Sequence, residues 1–133
     1  MGRKKHKFTA NPNVSTGPND TFGMIYDGLI QSEQYKRLSL GVRDFYIKCR
    51  VQSASKHGRS CLFKHSEETG ATYDIDNDFV FPAKHMQMYG IDRSNGQKLM
   101  NELISAGFIE IKEKNKHMYK VNVYSFSGRW KNN

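Results

Sequence analysis

The chain has 133 residues, enough for one domain with a modest core of its own. Lysine and arginine total 21 against 13 acids, a formal charge of +8, which favours a polyanionic partner, nucleic acid first and an acidic membrane surface second. Two cysteines, Cys49 and Cys61, make no disulfide framework, and no run approaches the roughly 18 apolar residues of a helical membrane span, so both classes are excluded.

Residues 1–20, MGRKKHKFTANPNVSTGPND, hold two of the three prolines and little to bury, and read as a flexible basic arm carrying Arg3, Lys4, Lys5 and Lys7. No apolar run follows Phe8, so a cleaved signal peptide is not expected, and the free cysteines fit a reducing, cytoplasmic setting. Phe22, Ile25, Tyr26, Leu29 and Ile30 then recur at helical spacing, with Asp20 or Thr21 as a cap. A stronger helix follows in LSLGVRDFYIKCRVQSAS, where Ser39 is a suitable N-cap and Val42, Phe45, Tyr46 and Cys49 form an apolar stripe.

KHGRS breaks that helix, and residues 60–81 read as strand-like, with CLF first and then an extended segment over Asp74–Phe81. Ser66 to Phe81 holds five acids and no lysine or arginine, so this stretch is expected to lie away from any polyanion. Pro82 suits the first turn of a short helix ending at Gly90, a left-handed cap. Asp92 caps the next helix, whose inward line is Met100 and Leu103, and Gly107 ends it. FIEIKEK and HMYKVNVY alternate apolar and polar around a turn at Asn115–Lys116.

Helix, strand, helix, tight turn, helix, hairpin: this order resembles the winged helix-turn-helix family. The resemblance rests most on FVFPAKHMQMYGIDRSNGQKLMNELISAGFIEI, with the rhythm Gly90, Asp92, Ser94, Leu103, Gly107 and Phe108–Ile109. Upstream, LIQSEQYKRLSLGVRDFYIKCR is similar to the first helix of small winged-helix proteins of phages, plasmids and conjugative elements, so the match covers roughly residues 28–126. The implied fold is α+β, with about three to four helices and a C-terminal β-hairpin wing. It would occupy residues 21–128, with the arm before it and a short tail at 129–133. Two positions depart from the pattern. Gly96 stands where such helices place a core-facing aliphatic residue, which implies either a less stable helix or an unusually close approach to its neighbour, and Ile104 stands where the position is often polar, which implies an extended core or a partner surface.

The resemblance implies that the third helix enters a DNA major groove. Arg93, Ser94, Asn95, Gln97, Lys98 and Asn101 would then face the bases, since amides suit adenine and Arg or Lys suits guanine. Lys112, Lys114, Lys116 and His117 of the wing suit phosphate, as do the arm cations. The expected partner is double-stranded DNA, with a homodimer or another protein of the same element as an additional one, and no membrane. The expected role is transcriptional regulation, or an accessory part in replication or transfer of a mobile element. Two rivals remain: a small basic RNA-binding or ribosome-associated protein, and a winged-helix protein-interaction module.

Other sites fail on chemistry. Asp74, Asp76 and Asp78 imitate a calcium loop, but Phe79 stands where glycine is required and His85 where the closing glutamate belongs. Cys49, His57, Cys61 and His65 lack a C-x-x-C pair, so no zinc site is expected. No nucleophile–base spacing or phosphate-cradling glycine loop is present, so neither an enzyme nor a cofactor is expected.

Overall fold

The computed structural model describes residues 10–114 and 121–132. Arg3, Lys4, Lys5, Lys7, Lys116 and His117, with the expected turn at Asn115–Lys116, lie outside the described residues. The order is α1 (Asp27–Gln31), α2 (Glu33–Lys36), α3 (Leu40–Ala54), α4 (Lys56–Thr69), β1 (Asp78–Phe79), α5 (Ala83–Met88), α6 (Arg93–Ala106), β2 (Ile109–Glu113) and β3 (Val123–Phe126). A 3-10 turn over Arg129–Asn132 follows. The class is therefore α+β, with six α-helices among the described residues instead of three to four.

α3 forms as its sequence requires. Ser39 Oγ accepts from the Val42 backbone N–H at 3.3 Å, and Val42, Phe45, Tyr46 and Cys49 are buried. Phe45 stacks on Phe81 at 5.7 Å between ring centres, while Met100, Leu103 and Phe108 close the same core from α6 and the turn after it. Each such side chain contributes on the order of 2 kcal/mol by leaving water. Ile104, the position often polar in the family, is half-buried and packs against this core.

The largest correction is α4. Residues 60–69, expected as strand, are helix, because Ser55 ends α3 and starts the next helix at once. Its Oγ accepts from the Gly58 N–H at 2.9 Å. Gly58, Leu62 and His65 then face inward at i, i+4 and i+7, and Gly70 closes the helix at φ +73°. The extended segment is correspondingly short, since only Asp78 and Phe79 pair with a neighbouring strand, opposite Ser125 and Tyr124.

The first expected helix also shrinks. Only Asp27–Gln31 is helical there, and residues 20–26 run as a non-helical strap over α3, with Phe22 and Tyr26 exposed. At the other end, Trp130 lies in the segment read as a tail but stacks on Phe108 at 5.3 Å with nearly parallel rings. Its backbone N–H donates to the Gly107 carbonyl at 3.0 Å.

The sheet is antiparallel with order β1-β3-β2, so the strand before α5 lies against the last strand of the hairpin. α6 passes through Gly107, at φ +87°, directly into β2. That short connection fixes the hairpin relative to the helix, a layout compatible with a winged-helix arrangement.

Candidate nucleic-acid interface

α6 is positioned from three sides. Asp92 Oδ1 accepts from the Asn95 N–H at 2.9 Å and from Ser94 Oγ at 2.8 Å, so the helix begins where its sequence indicates. These two hydrogen bonds hold the Asp92 carboxyl below the usual carboxylate range. Gly90, at φ +75°, makes the turn from α5, and Ile91 is buried behind it. Gly96 faces α5, where a Cβ would overlap the Met86 sulfur. The absent side chain at Gly96 thus makes room for the Met86 side chain of α5, which packs directly against the α6 backbone.

With Gly96, Met100 and Leu103 inward, the six candidate side chains are all exposed. Helical geometry divides them. Arg93, Gln97 and Asn101 recur every four residues and form one row, whereas Ser94 and Lys98 form a second row beside it. Asn95 falls on the far flank, and Ser94 already spends its hydroxyl on the cap. Glu102, an acid that no sequence pattern singles out, is exposed on the same helix.

The first row abuts the hairpin. Arg93 and Gln97 line a cleft of about 120 Å³ together with Pro82, Val121, Asn122 and Tyr124. Gln97 Nε2 donates to Asn101 Oδ1 at 3.1 Å, and Asn122 Nδ2 donates to the Tyr124 hydroxyl at 3.2 Å. The Gln97 side chain lies beside that hydroxyl and draws its pKa down. Burial pushes the Tyr124 hydroxyl pKa up, against the opposing pull of these two amides, so it stays a neutral O–H. Two neutral pairs therefore meet at this cleft, Asn122 with Tyr124 and Gln97 with Asn101. In the sequence Tyr124 and Asn122 read only as strand residues, and period-two alternation carries no sign of this contact.

The cations of the hairpin differ among themselves. Lys112 Nζ lies 2.5 Å from Asp78 Oδ2, and Asp78 is almost wholly buried. The same ammonium stands 6.0 Å from the centre of the Tyr73 ring. Register slips between Ile111 and Glu113, a bulge at Lys112 that re-aims side chains on β2. Glu113 Oε2 accepts from the Tyr73 hydroxyl at 2.7 Å, and Glu113 Oε1 lies 3.3 Å from His65 Nε2. Lys112 is thus paired within the fold, although both it and Lys114 are exposed.

The acidic stretch is likewise mixed. Asp78 is internal, and Asp74 closes its own turn by accepting from the Asp76 N–H at 3.0 Å. Among the described residues no three His, Cys, Asp or Glu side chains converge as metal ligands, and no helix is long and apolar enough to cross a membrane. Cys49 sits in the core, where burial pushes its thiol pKa well up.

No family model matches the chain, and neither a curated protein nor a solved structure does.

Proposed function

We propose that the chain is a winged helix-turn-helix protein that binds a specific double-stranded DNA site, with α6 in the major groove and the β2–β3 hairpin along the phosphates. The observation that carries this reading is the row Arg93, Gln97 and Asn101 beside the cleft at the base of the hairpin. A guanidinium and two amides at successive turns offer donors and acceptors to neighbouring base pairs. Lys98 and Lys114, exposed on either side, supply charge without base identity. The excess of eight positive charges draws the duplex in.

Such a protein acts by occupying its site, as a regulator of transcription or as an accessory factor in replication or transfer of a mobile element. Its setting is the cytoplasm. The test is selection of bound duplexes from a random pool. The expected result is one enriched motif, whose strength falls when Gln97 or Asn101 is replaced by alanine. Enrichment of no sequence, or equal retention of single-stranded RNA, contradicts the reading.

A further inference from the structure

Gln52 of α3 has no exposed surface, and its amide joins three other parts of the fold. Nε2 donates to the Val80 carbonyl at 3.0 Å and lies 2.8 Å from His85 Nδ1 of α5. Oε1 lies 3.0 Å from His57 Nε2 of α4, and the Tyr89 hydroxyl stands 3.0 Å from the same nitrogen. The Val80 carbonyl can only accept, so it fixes which way the amide points. Both amide hydrogens are then committed. His85 Nδ1 must accept, and His57 Nε2 must donate. The two imidazole rings meet edge to face, 4.7 Å between centres.

The two histidines therefore respond to a proton in different ways. His57 is half-buried, already donates through Nε2, and can take a proton at Nδ1 with these bonds intact. His85 is buried and cannot, because a hydrogen on Nδ1 would point at the Gln52 N–H. Turning the amide over gives no relief: Oε1 would then face the Val80 carbonyl, and Nε2 the His57 N–H. A buried group left without its hydrogen bond is costly, and the element that can yield is α5, six residues long. We propose that this cluster is a proton-driven latch, which holds α5 on α3 at neutral pH and releases it when His85 takes a proton. Met86, next to His85, is the side chain seated against Gly96, so release unseats the support of α6. The charged or titratable groups that meet His85 are His57 from α4 and Lys84 of α5 itself, while α3 meets it with the neutral Gln52 amide. Burial first, then these two groups, hold the His85 pKa below its ordinary value. Release returns the ring to water and to about 6.5, so the released form binds the proton more tightly and gains as pH falls. The effect on DNA binding rests on the reading of α6 above, but the latch itself does not.

Amide hydrogen exchange of the full chain without DNA, corrected for its intrinsic pH dependence, tests this, so its failure leaves the reading of α6 untouched. Exchange in Ala83–Met88 is expected to quicken as pH falls below about 6.5, by at most about tenfold per pH unit for one proton. It should follow the His85 ring resonance in the proton NMR spectrum, while residues 42–49 of α3 stay protected. His85→Leu is expected to abolish the pH dependence. His57→Asn keeps an N–H for the Gln52 oxygen and removes the opposing charge, so the midpoint should move to higher pH. A purely structural His57 would not produce that shift. Circular dichroism establishes folding, and if His85→Leu unfolds, the shift with His57→Asn decides alone. A His85 ring that titrates with no change in α5 exchange overturns the proposal. So does loss of protection over α3 and α5 together, or a midpoint that His57→Asn leaves in place.

Discussion

The two strands of the hairpin are held by different chemistry. β2 is fixed by charge: Lys112 on the buried Asp78, and Glu113 between His65 and the Tyr73 hydroxyl. β3 carries neutral groups, with the Tyr124 hydroxyl accepting from Asn122 in the cleft that Gln97 of α6 also lines. A count of positive residues treats Lys112 and Lys114 alike. The folded chain separates them, since the first, though itself exposed, neutralises an internal carboxylate. Charge in the hairpin is thus partly structural, and two of the three side chains in the row proposed to read bases are uncharged amides.

Lys112→Met gives the sharpest contrast. It leaves Asp78 buried without its counter-charge, which costs about 3 kcal/mol, the low end of the usual range because Lys112 is itself 43% exposed. Urea unfolding measures this, and adding Asp78→Asn to the same chain is expected to recover part of the loss. If Lys112→Met is neutral in stability and instead weakens DNA binding, β2 is not held by charge.

Asn101→Ala follows in size. It is expected to cost about 1–3 kcal/mol at the preferred duplex and to relax preference at one or two base pairs, with folding stability little changed. Lys114→Ala should weaken all duplexes alike. Equal losses on specific and non-specific duplexes for both variants would remove α6 as the reading element.

Tyr124→Phe tests the neutral side. Losing one hydroxyl is expected to cost about 1 kcal/mol of stability and to broaden preference at the base pair that Gln97 faces. The salt dependence of binding should not change. An unaltered selected motif with this variant would mean that Gln97 is held by Asn101 alone.

The smallest effect is on pH dependence. His85 is buried, with Nδ1 2.8 Å from Gln52 Nε2, and the amide also donates to the Val80 carbonyl at 3.0 Å. Gln52 Oε1 in turn accepts from His57 Nε2 at 3.0 Å. Nδ1 must therefore accept, so the ring is neutral. Burial first, then His57 and Lys84, hold its pKa below the ordinary value. The unfolded chain binds the proton more readily, so stability should fall as pH drops through about 6.5, the unfolded value, and level off below the folded one. Melting midpoints across this window should show a flatter profile for His85→Asn than for the wild type. Identical profiles would contradict the assignment.

What the sequence reveals is local. The caps at Ser39 and Asp92, the left-handed glycines at 90 and 107, and the inward stripe of α3 are each decided by neighbours within one or two turns. The tight packing at Gly96 is legible because a glycine on an otherwise apolar inward face leaves room for a neighbour, here the Met86 side chain. α4 escapes the pattern because Ser55 serves as both an end and a beginning, and the short apolar run Cys61–Phe63 fits either period. The strap escapes it because its apolar residues have helical spacing while its backbone is fixed by Arg50, 26 positions away from Met24. The roles of Lys112 and Tyr124 depend on Asp78 and Gln97, contacts that no spacing rule reaches.

Binding of a labelled duplex across a range of salt concentrations tests DNA recognition by α6 and the hairpin most directly. With about five phosphate contacts, the logarithm of the association constant should fall against the logarithm of salt with a slope near −4 to −5. Affinity that stays constant over a severalfold change in salt would contradict duplex binding by this basic surface.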